Sequence, residues 1–429
     1  MTLAATIDAG GSGVKVGVVC TETWQTLADI RCEYAPVSRA PGLLEWDPAD
    51  WWRSIVQALA DAVSAAGRPA SQYRGLVCTC MRIPFVLVDE QFEPVAPGVL
   101  VPDRRGAAYA ASLRSQIGSD ELYRTTGHWG AFHFGLPKLV WYLRETPELW
   151  KRTRWVLQMH DWLLLRLCGA IASEPSSASM SQLLDVSTRQ WATGVLDAAG
   201  IDRERLPPLL DAGVVAGGLE GPLASAVGLL AGTPVHVGGG DTHVAALGVG
   251  AVEQGSTVAV AGTTTPLQLT THVPLLDVDV RPLVSAHLRP GVFAAETNVS
   301  TSGGMLRWLR GITGLDYATL EARAAESPLG ARDAMVTASN PEWGEGPWSQ
   351  APPLSLVGLT PTHTVGDLAR ATYESMTYAI AVDLERLDSL ATTPALPVIM
   401  TGGGSRSTLA AQMLADVSGR TVLVPELAN

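Results

Sequence analysis

Basic residues are scarce in this chain. Lys and Arg total 30 of 429 residues, against 42 Asp and Glu, for a formal charge of −12. A polyanionic partner such as nucleic acid needs clustered Lys and Arg, so the charge balance argues against that class. It leaves room for a small anion held by backbone N–H groups and a metal ion. Long apolar runs are missing: none reaches the roughly 18 residues of a membrane span, so no membrane partner is expected. The first residues carry no basic stretch and read at once as strand and turn, so no signal peptide is expected. Cysteine is sparse too, with Cys20, Cys32, Cys78, Cys80 and Cys168. An odd count without C-x-x-C spacing argues against a disulfide framework or a zinc site. Cys78 and Cys80 should share one face of a strand as packing residues. A reducing cytoplasm is the expected compartment.

What the chain does have is apolar content and glycine. Hydrophobic residues make up 47% and charged residues 17%, which excludes a disordered chain. Gly is 43 of 429, and glycines at strand ends suit a backbone that must approach a ligand closely. The length gives roughly two to three domains at about 150 residues each.

The pattern is α/β. Thr6–Asp8 and Val14–Val19 flank a Gly-rich turn and predict a hairpin. Asp47-Pro48-Ala49-Asp50 predicts a helix start, with Ile55, Leu59 and Val63 on its buried face and a stop at Gly67. Gly75–Cys80 reads as a buried strand, 137–144 and 162–167 as helices, and 235–237 as a strand ending in Gly238-Gly239-Gly240-Asp241. A second hairpin spans Thr257–Ala261, Gly262-Thr263-Thr264-Thr265 and Leu267–Thr270. A helix comes next at Met305–Leu309. A long helix starts near Thr364-Val365-Gly366-Asp367, with Leu368, Ala371, Ser375, Tyr378 and Val382 expected on its buried face. Val398–Thr401, Gly402-Gly403-Gly404-Ser405 and Thr408–Val417 read as strand, turn and helix. Each half thus opens with a hairpin, a weak internal duplication. A boundary is expected near Gly248–Gly255, and 341–353 reads as a loop.

Four segments could carry chemistry. In Asp8-Ala9-Gly10-Gly11-Ser12-Gly13-Val14-Lys15 the turn could seat a phosphate on backbone N–H groups, with Asp8 near a Mg²⁺ ion; an ordinary hairpin turn is the alternative. In Gly238-Gly239-Gly240-Asp241-Thr242 the acid could take a proton from an attacking hydroxyl, or serve as a helix N-cap. The Gly262 turn could face terminal phosphates or only solvent. Thr401-Gly402-Gly403-Gly404-Ser405 could receive a base or a phosphate, although the G-x-G-x-x-G spacing is not met.

Taken together, DAGGSGVK, the PDRR of Pro102–Arg105, FGLPKLVW (134–141) and GGGDTHVAALGVG (238–250) form a pattern. The GTT turn at Gly262, STSGGMLRWL (300–309), LARATYESMTYAI (368–380) and TGGGSRSTLAAQMLADVSG (401–419) complete it. In order and spacing they resemble the FGGY family of carbohydrate kinases within the actin-like ATPase superfamily, nearest to its xylulokinase-like branch. The resemblance implies two actin-like, ribonuclease H-like domains, 1–247 and 248–429, facing a central cleft. It implies ATP and Mg²⁺ as cofactors, a small sugar as substrate, a pentulose such as xylulose first, and a homodimer at the family level. Asp241 matches the catalytic base and Asp8 the acid near the metal, with Asp241 beside it. Gly10, Gly11, Ser12, Gly13 and Lys15 match the first phosphate turn, and Gly262, Thr263 and Thr264 the second. Gly303 and Arg307 match the nucleotide approach, and Gly403, Gly404 and Ser407 lie beside adenine and ribose. Met81, Arg82, Asp103 and Arg105 fall at sugar-contact positions.

Three departures bear on substrate and activity. Gly11 stands where the family usually has Thr, so a hydroxyl is lost. Thr79-Cys80-Met81-Arg82-Ile83-Pro84 replaces a Q-M-H-G sugar motif, leaving Arg82 for sugar hydroxyls, an anionic group or a structural ion pair. Val101 precedes Pro102-Asp103 where an aromatic residue is usual. The chain also stops at Asn429, before a further helix that the family leads one to expect. These departures motivate a second possibility, a sugar- or nucleotide-binding regulator on the same fold. An actin-like ATPase without a sugar substrate is a third.

Overall fold

The computed structural model describes residues 1–299, 302–337, 354–391 and 396–426. The loop expected at 341–353 and the Ser300-Thr301 start of one motif lie outside the described residues. The chain divides into two compact units, Met1–Val244 with Ser285–Gly291, and Ala245–Val284 with Val292–Asn429. The division between the units falls inside the helix Asp241–Gly248.

The first unit is built on a six-stranded sheet. Its order is Val215–Gly218, Pro234–Gly240, Tyr73–Cys80, Leu3–Ala9, Gly13–Cys20, Thr26–Glu33. The last three strands are antiparallel, as short hairpin links require. Tyr73–Cys80 runs parallel to Leu3–Ala9, and Pro234–Gly240 parallel to Tyr73–Cys80. Three strand ends therefore open on one edge of the sheet. Cys78 and Cys80 are both buried in the core against this sheet, and all five cysteines are free.

Local sequence sets the covering helix Pro48–Ala66. Asp47 accepts from the N–H groups of Ala49 and Asp50, Pro48 supplies the preset φ, and Gly67 closes the helix at φ 60°. Its buried face carries Trp51, Ile55, Ala58, Leu59, Ala62 and Val63. Each large side chain so buried stabilises by about 1.5–3 kcal/mol. Trp51 stacks on Tyr34 at 3.9 Å, which fixes the far side of the first turn.

The second unit repeats the plan. Its sheet runs Leu283–Ala286, Phe293–Val299, Thr265–Thr271, Thr257–Val260, Val398–Thr401, Val422–Leu423. Antiparallel pairs join the second to fourth strands, and parallel pairs join the last three. The long helix Val365–Leu390 opens on a capping box between Thr364 and Asp367. Its buried face corrects the one expected from sequence. Tyr378 and Val382 are 49% and 46% exposed, whereas Tyr373, Thr377, Ile380, Leu384 and Leu387 are buried. The helix carries two apolar stripes at helical spacing, and packing on the sheet selects the second.

Among the described residues, no helix is long and apolar enough to cross a membrane.

Candidate functional site

In the first unit the strand ends collect the acids. Asp8 pairs across with Thr79, and Gly239 pairs with Thr79 from the other side. Asp8 and the residue after Gly240 thus lie two strands apart, at about 4.8 Å per strand. Crowding by surrounding protein and the Asp241 carboxylate push the Asp8 carboxyl up to about 6, while Lys15 pulls it down. Asp8 is still exposed to water, which tempers the first effect. Lys15 is its cross-strand partner and lies 3.4 Å from Asp29.

The first turn is tight. Gly10 N–H donates to Gly13 O at 2.9 Å, and the Tyr34 hydroxyl donates to Gly10 O at 2.8 Å. A Cβ on Gly13 would come within 2.7 Å of Cys32 O, so the neighbouring strand itself demands glycine there. A Cβ on Gly11 would touch Met81 Sδ at 3.4 Å, so the turn lies directly on the Met81-Arg82 segment. Gly11 and Ser12 face solvent.

Asp241 is the first residue of its helix rather than a cap before it. Its Oδ1 accepts from Thr242 N at 2.8 Å and from the Thr242 hydroxyl at 3.2 Å. Arg82 crosses Gly240, where a Cβ would be 2.5 Å from Arg82 Cδ. Its Nε lies 3.9 Å from Asp241 Oδ1, and its Nη2 donates to Thr242 Oγ1 at 3.0 Å. Ile83, the next residue, has φ 88°, a strained value for a β-branched side chain. The backbone is bent there just where Arg82 turns toward Asp241. The ion-pair alternative for Arg82 is therefore realised, with the candidate base as partner.

Asp103 and Arg105 behave differently from what their position suggested. Both are buried. Asp103 accepts from Leu44 N, Arg105 N and the Arg105 guanidinium, and Arg105 also reaches Glu45 and Tyr142. Burial opposes the Arg105 charge, but these acceptors outweigh it and raise its pKa. Lys138 Nζ donates to the carbonyls of Leu100, Val101 and His133 at 2.8 to 2.9 Å. The pair thus braces the loop from within, with its polar atoms already committed to protein.

In the second unit one cavity of about 620 Å³ collects most of the remaining residues. Gly262, Thr263, Gly303, Arg307, Gly403, Gly404 and Ser407 all line it. Thr264 closes the turn beside it by accepting from Gly262 N at 3.0 Å. Gly304 N donates to Thr263 O at 2.9 Å, and Arg307 Nη2 donates to Thr263 Oγ1 at 2.7 Å. A Cβ on Gly303 would lie 2.2 Å from Gly262 O, so this turn and the helix Gly303–Thr313 fit only without one. Gly402 has φ 84°, and Gly404 N donates to Ala261 O. Ser407 caps the helix Thr408–Ser418. Tyr317, Glu321, Tyr373 and Met376 also line the cavity and were not anticipated. The spacing of Tyr373, Met376, Thr377 and Ile380 was the signal for the last two. The apolar walls suit a flat base and the glycine turns suit phosphates.

The donor set of the first unit fits a divalent cation. Among the described residues no group of three or more His, Cys, Asp and Glu converges. Asp8 and Asp241 offer two carboxylates, and Mg²⁺ commonly takes one or two, with phosphate and water completing the shell.

Comparison with known proteins gives the family. The N-terminal domain model of the FGGY family of carbohydrate kinases matches residues 3–248, and the C-terminal domain model matches 257–429. An autoinducer-2 kinase of Yersinia enterocolitica is 30% identical, over 98% of this chain and 82% of the relative. A xylulose kinase structure from Rhodospirillum rubrum is 25% identical with a TM-score of 0.86, over 99% of this chain and 87% of the other. A Plasmodium falciparum glycerol kinase with ADP shares the fold at 16% identity and TM-score 0.88, over 100% and 87%.

Proposed function

Because the chain belongs to the FGGY family of carbohydrate kinases, we propose that it moves the γ-phosphoryl group of ATP to a hydroxyl of a small sugar, with Asp241 as general base. The observation that carries this reading is Asp241 at the end of three glycines, beside Asp8 and oriented by Arg82 and Thr242. Bound ATP would supply the phosphoryl group, and bound Mg²⁺ would neutralise phosphate charge. Asp241 accepts the hydroxyl proton as the oxygen attacks phosphorus, a role worth about 10²–10⁴ in rate. Asp8 would hold the cation beside Asp241. In the turns Gly10–Gly13 and Gly262–Thr264 the N–H groups other than those of Gly10 and Gly262, which close the turns, would meet phosphate oxygens, with Arg307 behind Thr263. Gly303, Gly403, Gly404 and Ser407 leave room for the nucleoside. Met81 and Arg82 border the sugar, while Asp103 and Arg105 support the loop beside it.

The sequence led to a pentulose such as xylulose, and the similarity to a xylulose kinase structure supports it. A second substrate, autoinducer-2, is favoured by the 30% identity to an autoinducer-2 kinase. The test is coupled ADP release with Mg²⁺–ATP over a panel that includes xylulose, other ketoses, polyols and autoinducer-2. One strong responder that is lost in Asp241→Ala supports the kinase reading and names the substrate. Turnover that survives in Asp241→Ala removes Asp241 from the role of base.

A further inference from the structure

The strand Pro234–Gly240 leaves register with Tyr73–Cys80 between His236 and Gly239. Such a bulge frees backbone groups from the ladder and re-aims the residues after it. Here the groups near the bulge meet side chains from three other elements, the buried His160 and Ser176 and the half-buried Thr79. Gly238 N donates to His160 Nε2 at 3.2 Å. Gly239 O accepts from the Thr79 hydroxyl at 2.7 Å. Gly240 N donates to Ser176 Oγ at 3.1 Å. The next residue is Asp241.

Ser176 is itself held. Its hydroxyl donates to Glu174 Oε2 at 2.5 Å, and the same oxygen accepts from Ser176 N at 2.9 Å and Ser177 N at 3.1 Å. Glu174 and Ser176 are both 0% exposed. Among the described residues no protein group donates to Glu174 Oε1, so the carboxyl is held in its buried position through Oε2. A buried acid with one oxygen lacking a protein donor is costly to keep. The fit around it is close: a Cβ on Gly239 would lie 2.9 Å from Glu174 Oε2 and 2.9 Å from Ser176 Oγ.

We propose that Ser176, backed by Glu174, is a positioning residue for the phosphoryl transfer: it fixes the Gly240 amide and thereby the direction in which Asp241 presents its carboxylate. This rests on the reading of Asp241 as the base. Neither Ser176 nor Glu174 is assigned contact with sugar or nucleotide, so their removal acts through the backbone. A displacement of about 1 Å at a reacting group can cost on the order of 10²-fold in rate.

The test uses the full chain with Ser176→Ala and Glu174→Gln, each alone and with Asp241→Asn. Turnover is read with Mg²⁺–ATP and whichever of xylulose or autoinducer-2 the wild type accepts. The expected result is a kcat lower by about tenfold or more, with both KM values within about twofold. In the Asp241→Asn background Ser176→Ala should add no further loss, because the group it aims is gone. Amide hydrogen exchange gives a readout independent of turnover. The peptide spanning Gly238–Asp241 should exchange faster in both single variants, with other core peptides unchanged. Wild-type kcat with wild-type exchange in both variants overturns the proposal. A loss that adds fully to that of Asp241→Asn also overturns it, since a merely structural defect adds. If Asp241→Asn keeps wild-type kcat, the base assignment falls instead, and exchange alone decides whether Ser176 holds the strand end. Should Ser176→Ala fail to fold, Glu174→Gln carries the same comparison.

Discussion

Two residues before its turn glycine, the first unit carries Asp8 and the second carries Val260. After the neighbouring parallel strand the first unit continues with Met81-Arg82, the second with Gly402-Gly403. Five strands correspond in order and direction, with the sixth on opposite edges of the two sheets, yet the ends differ in kind. One unit places carboxylates and a guanidinium at its open sheet edge; the other lines a cavity with glycines, hydroxyls and apolar side chains, with Arg307, Arg406 and Glu321 in its wall. Charged groups suit a site that moves a proton and holds a cation. Neutral backbone donors suit phosphates in a chain whose overall charge is already −12. A duplicated scaffold thus divides the chemistry by what stands at equivalent strand ends, with the sheets themselves held in common.

The largest expected effect breaks the charged side. Asp241→Asn should lower kcat by about 10²–10⁴ while nucleotide affinity and the melting temperature stay near wild type. Coupled ADP release and direct nucleotide titration read the two sides separately. Next comes the pair of turns. Gly303→Ala puts a Cβ 2.2 Å from Gly262 O, whereas Gly10→Ala meets its nearest atom, Gly13 O, at 3.4 Å. Overpacking of the first kind costs about 1–3 kcal/mol, so nucleotide affinity should fall roughly five- to hundredfold. Gly10→Ala should change it by less than about threefold. Equal losses in the two variants would mean the turns are equally rigid, contrary to their contacts.

A smaller effect is expected at Arg307. Its side chain is exposed and bonds Thr263 Oγ1 at 2.7 Å. Arg307→Ala should weaken nucleotide binding a few-fold, less than Gly303→Ala, as isothermal titration would show.

The smallest effect lies in stability, in the second unit alone. Asp367 accepts from the Ser327 hydroxyl and from Thr364 N and Oγ1, with Arg332 at 3.5 Å. Led by the Ser327 bond, these hold its pKa down to about 2. A carboxylate with a lowered folded pKa stabilises above its usual pKa near 4, and that contribution disappears as pH falls toward 2. Asp367→Asn should therefore cost about 1 kcal/mol at pH 7, with the two denaturation curves converging by about pH 2. A constant gap across that range would exclude an electrostatic origin.

How much of this was legible depends on the range of each interaction. Asp47-Pro48 with Gly67, the two hairpin turns and the Thr364–Asp367 box are local, so spacing alone located them. The residues expected near a nucleotide came from the family resemblance, and Gly262, Thr263, Gly303, Arg307, Gly403, Gly404 and Ser407 line one cavity. The buried face of the long helix was misread because Tyr378 and Val382 keep the same helical spacing as Tyr373, Ile380 and Leu384. Only packing chooses between the stripes. The resemblance put Asp103 and Arg105 at sugar-contact positions, and nothing nearby in sequence announces Glu45 or Tyr142 as their partners. Thr79, His160 and Ser176 were invisible as a set because each belongs to a different element.

That set has a consequence for the order of folding. The bonds that hold the glycine strand end join residues 160, 78 and 64 positions apart. Glycine also surrenders the most backbone freedom when it is ordered. Distant contacts must wait for the intervening chain to be in place. The segment bearing Asp241 is then among the last parts of its unit to settle. In a refolding experiment, return of turnover should trail return of helical signal.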